Sequence, residues 1–277
     1  MSTNKQIILL PTLCMMLAIV IFSCNKPARP ALGDYPKDGG TLPGGNLRFF
    51  VPFGGDNPIS RWNMIDSIST NPPFSTPFTL IPGVNGKGVK GADQSAIKYL
   101  NANDFSSATS CTISLWVNNT VNSSTELLFS LVDNKDYWHG SAAFLLVEHA
   151  KPDVCTFKFA LQDHWVEYND NFNKPLFNGQ WHHLAFTYDE TTSTVKVYYD
   201  GVEVPLPAGA AGNFAGLGKL NLKNATNLVL GGWNKHVGLP GPTDSWIQSW
   251  QGGLDQFRLY NKALTATEVM ALFNSKL

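Results

Sequence analysis

Retaining glycoside hydrolysis needs two carboxyl groups about 5–5.5 Å apart, so the acidic residues are the first place to look for chemistry. The chain has only six glutamates, at 126, 148, 167, 190, 203 and 268, and none is followed two positions later by aspartate. The nearest pair is Asp163 and Glu167, with Trp165 between them. On a strand these three share a face, but about 13 Å of backbone then separates the carboxylates. That is a solvated charged face, not an acid–base pair. Of six histidines only His182 and His183 are adjacent. Neighbouring strand residues point to opposite faces, so these two cannot chelate one metal. Neither Gly-x-Ser-x-Gly nor His-Glu-x-x-His occurs. No catalytic residue is assigned, and the chain is read as a non-enzyme.

The aromatic residues point elsewhere. Flat rings pack on the C–H faces of sugars, while amides, carboxylates and imidazoles take the hydroxyls. Tyr137-Trp138-His139-Gly140 follows Asp133-Asn134-Lys135-Asp136 in a polar loop, where an aromatic pair has no evident packing role. The alternation of His164 to Tyr168 presents Trp165 beside Asp163 and Glu167. Trp233-Asn234-Lys235-His236 follows Gly231-Gly232 and reads as an exposed loop, and Trp246 and Trp250 flank the approach to the last strand. The candidate ligand-binding residues are therefore Trp138, His139, Trp165, Trp233, Asn234, His236 and Trp246, for a glycan or glycoconjugate. The competing reading is that these rings cover hydrophobic edges of the fold, which for Trp250 is the favoured one.

Composition narrows the class. Only 15% of the 277 residues are charged and the net charge is −1, against roughly 25% charged in an average domain. Nucleic acid and a polybasic membrane patch are therefore excluded as partners. Lys5 precedes an uncharged apolar run from Ile7 to Phe22, shorter than the roughly 20 residues of a spanning helix. It reads as an export signal over residues 1–23. Its end, Ile21-Phe22-Ser23-Cys24, resembles the lipobox of bacterial lipoproteins. That resemblance implies acylation of Cys24 and attachment to the membrane through this lipid alone. An ordinary signal peptide and an uncleaved anchor are the alternatives. The expected location is the bacterial cell envelope, at the outer membrane, with the periplasmic or surface face open. Residues 24–45 are rich in Pro and Gly and read as a flexible tether, leaving 46–277 as one domain. Cys111 and Cys155 are then either a disulfide, which the compartment permits, or two buried free thiols.

The elements that must position these residues are mostly strands. Leu47–Phe53 is a short apolar run closed by a Gly-Gly-Asp-Asn turn, and five prolines make 58–95 mostly irregular. Strands are expected at 96–100, 111–117, 127–132, 142–148, 154–161, 227–231 and 253–260. The clearest unit is 181–204: Leu184, Phe186 and Tyr188 share one face, Val195, Val197 and Tyr199 another, and Asp200-Gly201 supplies a hairpin turn. Thr265-Ala266-Thr267-Glu268 is a capping box, with Leu264 and Val269 as its hydrophobic staple, opening a short closing helix. The expected fold class is an all-β antiparallel sandwich with a C-terminal helix.

Several stretches together resemble the laminin G-like domains of the concanavalin A-like lectin/glucanase superfamily. They are Leu47–Asn57 (LRFFVPFGGDN), Gly86–Asp93 (GKGVKGAD), Thr112–Val117 (TISLWV), Gly179–Val204 and Gly252–Phe273. The resemblance covers about 45–277 and implies a jelly-roll sandwich, with Trp116 and Trp181 at framework positions. Glucanases of the superfamily carry Glu-x-Asp-x-x-Glu, which is absent here. Relatives often hold one structural Ca²⁺. Asp93 and Asp255 stand where the family places acidic residues, which makes them the candidate calcium ligands, with Asp56 in the first turn; for Asp255 a turn-capping carboxylate is the alternative. The function expected from residues and resemblance together is a lipid-anchored, non-catalytic carbohydrate-binding module. The alternative is a structural or adhesion module whose partner is a surface protein.

Overall fold

The computed structural model describes residues 45–53, 77–133, 135, 137–240 and 243–276. The export signal, Cys24, Asp56 and all but the last residue of the tether lie outside the described residues. Fifteen strands are described, in chain order β1 (Leu47–Val51), β2 (Thr79–Pro82), β3 (Lys87–Lys90), β4 (Ile97–Tyr99), β5 (Cys111–Asn118), β6 (Thr125–Val132), β7 (Ser141–Glu148) and β8 (Cys155–Leu161). They continue as β9 (His164–Phe172), β10 (His182–Asp189), β11 (Thr194–Tyr199), β12 (Val202–Val204), β13 (Leu228–Leu230), β14 (Ile247–Ser249) and β15 (Gly253–Tyr260). A single helical turn, α1 (Ala210–Asn213), and the closing helix α2 (Ala266–Ser275) complete the described elements named here.

The strands form two sheets. The first runs β12-β11-β10-β5-β15-β3-β2, with β1 beside β15; the second runs β4-β13-β6-β7-β8-β9, with β14 beside β6. The pairings are antiparallel except β14 with β6, which is parallel. The two-residue period sets what each face does. In the 181–204 unit Leu184 pairs with Tyr199, Phe186 with Val197 and Tyr188 with Val195, as the pattern requires. These side chains join Leu145 and Val147 of β7 and Phe157 and Phe159 of β8 in the central core. Phe159 stacks on Phe186 with centroids 4.3 Å apart. The Asp200-Gly201 turn has positive φ at both residues (49° and 78°), the backbone a tight hairpin demands.

Alternate residues point away from the core, and the two outer faces are treated differently. On the first sheet, Ala185 and Tyr198 pack under Leu264 and Val269 of the α2 segment, and Trp116 stacks on Phe273 at 5.5 Å. On the second sheet, Leu127, Phe144, Leu146 and Ala160 form a separate cluster with Trp233 and Ile247.

Three findings refine these expectations. The 58–95 stretch contains β2 and β3, since Pro82 can close an edge strand whose missing N–H disturbs no inner ladder. The short strand β14 was not expected at all. Cys111 and Cys155 form no bridge: they begin strands of opposite sheets, and both are buried free thiols. Burial pushes each thiol up to about 12, the state of an inert core residue.

The helix start is the most local of these features. Thr265 Oγ1 accepts from the Glu268 amide at 3.3 Å, and Glu268 Oε2 accepts from the Thr265 amide at 2.7 Å. Thr265→Ala is expected to lower stability by about 1 kcal/mol, read as a shifted urea midpoint at unchanged slope.

Candidate ligand-binding face

The outer face of the second sheet brings together part of the expected site. The β8–β9 hairpin closes through Gln162 and Asp163, both with positive φ (51° and 57°), as a tight two-residue turn requires. Their side chains reach back to the loop before β7. Asp163 Oδ1 accepts the Trp138 amide at 2.9 Å. Gln162 Nε2 donates to the Tyr137 hydroxyl, and also to the Asn221 carbonyl at 3.0 Å. Trp138 is thereby fixed over Phe144, stacked at 5.4 Å, and meets the edge of Trp165 at 5.2 Å. Phe144 and Trp165 also meet edge to face at 5.2 Å. The result is a rigid three-ring cluster. Phe144 is sealed beneath it, Trp165 is half-buried, and Trp138 is 38% exposed.

Polar groups continue the same strands beyond these rings. Glu167 is exposed on the same strand as Trp165. Lys158 of β8 pairs with Glu148 of β7 at 2.7 Å, and Thr125 donates to the other Glu148 oxygen at 3.3 Å.

The remaining expected residues fall into different roles. Trp233 is wholly buried and Asn234 is too, so the expectation of an exposed binding loop there is overturned. Asn234 Nδ2 donates to the carbonyls of Gly140 and Pro240, both at 3.1 Å, and ties its own turn to the Trp138 loop. His236 Nδ1 accepts the Trp233 amide at 3.3 Å. Burial, and then the nearby Lys235, lower its pKa to about 4, so it stays neutral. Trp250 is buried in the central core, as its favoured reading had it. Trp246 is 48% exposed, its indole donating to Asp244 at 3.3 Å. The side chain of His139 lies outside the described residues.

Asp255 is buried and accepts the Val84 and Gln256 amides at 2.8 and 2.9 Å, the turn-capping role, while Asp93 is exposed. Among the described residues no three His, Cys, Asp or Glu side chains gather as a metal site. Ser114 and His183 share a hydrogen bond of 2.8 Å, yet both are fully buried. Burial, and then Arg258, hold the His183 imidazole down at about 3, and its Nδ1 has no partner. A sealed pair with no orienting acid has no substrate to attack.

A cleft of about 510 Å³ at the other end of β6 was not foreseen. Asn118, Asn119, Thr120, Asn122, Ser124 and Glu126 line it, opposite Lys90 and Gln251. Glu126 is 1% exposed and accepts from Asn119 and Asn122 Nδ2 and from the Gln251 amide, each at 3.2 Å. Burial pushes its carboxyl up to about 7 against those bonds. No local pattern marks these residues; only the meeting of the β5–β6 and β14–β15 connections assembles them.

With fold and site described, the class is a two-sheet sandwich bearing an aromatic outer face and a polar end cleft. The chain belongs to the concanavalin A-like lectin/glucanases superfamily, whose laminin G model matches residues 91–270. A search of curated proteins finds no match. Among solved structures, domain 4 of the extracellular arabinanase AbnA from Geobacillus stearothermophilus, in complex with arabinotriose, is similar at 19% identity and a TM-score of 0.55, over 82% of this chain and 98% of that one. The binding domain of the Paraclostridial Mosquitocidal Protein 1 is similar at 16% and 0.54, over 83% of this chain and 52% of that one. Trypanosoma rangeli sialidase, with a covalent 2,3-difluorosialic acid intermediate, is similar at 15% and 0.57, over 83% of this chain but 33% of that one. This chain thus spans about half of the toxin chain and a third of the sialidase. At these identities the likeness is one of fold.

The Glu126 carboxyl gives a signed pH prediction. The unfolded chain releases this proton near 4.5, the folded one near 7, so the group weakens the fold progressively as pH rises between those values. His183 and His236, with lowered pKa values, act oppositely: their contribution is lost as pH falls below about 6.5. The difference between parent and Glu126→Gln isolates the carboxyl. From pH 5 to 8 that difference should move by roughly 2 kcal/mol or a little more in the variant's favour, measured by urea unfolding. A flat difference would mean the carboxyl is not desolvated.

Proposed function

We propose that this protein is a lipid-anchored, extracytoplasmic carbohydrate-binding module of the bacterial cell envelope, without catalytic activity. The observation that carries the reading is Trp138: an indole held at 38% exposure, backed by Phe144 and braced by Trp165. Leaving a large ring this exposed costs apolar burial, and three separate contacts hold it in one pose. A pre-set flat ring, with the exposed Glu167 two residues from Trp165 on the same strand, suits the apolar face and hydroxyl rim of a sugar. A fold neighbour that is an arabinanase domain in complex with arabinotriose supports the same ligand class. The non-catalytic part of the reading is supported by Asp163, whose carboxylate is engaged by the Trp138 amide.

The burial of Trp233 and Trp250 favours a second reading, in which the tryptophans seal the sandwich and the partner is a protein. A glycan array including arabino-oligosaccharides separates the two. The expected result is binding that Trp138→Ala weakens about tenfold while Trp246→Ala changes it less. A folded protein that binds no glycan on the array would sink the carbohydrate reading. For the anchor, Cys24→Ser should abolish labelling by radioactive palmitate and release the protein from the membrane fraction; labelling that persists would remove Cys24 as the attachment point.

A further inference from the structure

The end cleft differs in kind from the Trp138 face. Trp138 packs over Phe144, whose β6 partner is Ser130, four residues or about 13 Å along the strand from Glu126. No tryptophan side chain lines the cleft, and Ile81 is its one large apolar residue. Its floor is bare for a packing reason. A Cβ on Gly91 would stand 1.9 Å from the Trp250 carbonyl oxygen, and one on Gly252 would stand 2.4 Å from that of Asn118. Side chains are therefore forbidden there, because the chain after β3 and the β14–β15 connection pass in direct contact, the Gly91 amide donating to the Gly252 carbonyl at 2.9 Å.

The groups around this floor have open hydrogen-bonding capacity of both signs. A carboxylate offers about four lone-pair sites, and three at Glu126 are taken. The Lys90 ammonium makes no hydrogen bond or ion pair among the described residues, and neither does the hydroxyl of Thr120. A metal ion is a poor match. Asn119 and Asn122 turn their amino groups toward Glu126, and their oxygens accept the Thr120 and Ser124 amides at 2.9 Å. An anion would meet the Glu126 carboxylate at the cleft base. An apolar ligand would leave the Thr120 hydroxyl and the spare lone pair of Glu126 unpaired. What remains is a neutral molecule dense in hydroxyls, each able to donate to Glu126 and to accept from Lys90 or Thr120. The volume, about 510 Å³, lies in the small-ligand range.

We propose that this cleft is a second saccharide site, which takes a neutral sugar ring by its hydroxyls, with Glu126 as acceptor and Lys90 as donor at the mouth. The ligand class follows from the cleft's own groups and does not depend on the Trp138 reading. The test is saturation-transfer NMR on the full-length chain in detergent, with glucose, galactose, mannose, arabinose and their neutral disaccharides as probes. The Trp138→Ala background isolates the cleft. There, at least one neutral sugar should still bind, and Lys90→Ala or Glu126→Gln should weaken it at least about fivefold. Lys90 is exposed, so its variant keeps the test valid should Glu126→Gln fail to fold. The proposal is overturned if no neutral sugar binds in that background, if neither cleft variant weakens binding, or if a uronic acid or calcium is taken up in preference to them. Binding that the cleft variants abolish and Trp138→Ala leaves intact would refute the Trp138 site and uphold this one.

Discussion

A sandwich buries only one face of each sheet, and what happens to the other two faces decides what this molecule offers its surroundings. The first sheet spends its outer face on the C-terminal helix, which covers Ala185 and Tyr198 with Leu264 and Val269 and lays Phe273 on Trp116. Among the described residues the second sheet has no helix of comparable length against it. Its outer apolar residues, Leu127, Phe144, Leu146 and Ala160, are covered by Trp233 from a loop and Ile247 from the short strand β14. That cover reaches Trp165 only partly, and Trp138 ends at the surface. The exposed ring is a consequence of how the second sheet is roofed.

Polar satisfaction then fixes the geometry of the roof. A loop carrying tryptophans over an apolar sheet must still pair its buried amides and carbonyls. Asn234 does this between the 233–240 turn and Gly140, and Asp163 does it for the Trp138 amide. Both bonds run between segments far apart in sequence, so the aromatic cluster is held from two sides. A rigid platform gives up less conformational entropy on binding than a free loop does.

The fold was largely legible because its strongest signals are local. The alternation in 181–204, the positive-φ turn at Asp200-Gly201 and the Thr265–Glu268 box each require only neighbouring residues. The short strands β2, β3 and β14 were not legible, since three or four residues beside Pro and Gly carry no period of their own. The tryptophans mark the sharper limit. Trp138 and Trp233 both stand in polar loops after a strand, and composition cannot tell them apart. One ends at the surface over Phe144 and the other is buried in the outer cluster with Leu127 and Ile247, and only the tertiary arrangement makes the difference. The cleft was invisible for the same reason: an asparagine-rich run reads as an ordinary turn until Gln251 and the glycine floor are placed against it.

Glu126 is the residue that structural economy explains least. A carboxylate taken out of water loses several kcal/mol of hydration, and apolar replacement of buried charges is often neutral or stabilising. Leu127 and Leu128 beside it are both fully buried, so an apolar side chain would suit that end of β6 well. Asn119 and Asn122 could satisfy their amides at the surface, where the loop they belong to already lies in part. Three donors are instead brought inward to hold one acid whose carboxyl is nonetheless raised to about 7. An acid fixed at the base of an open cleft, with a lone pair in reserve, answers the needs of a ligand better than those of the fold.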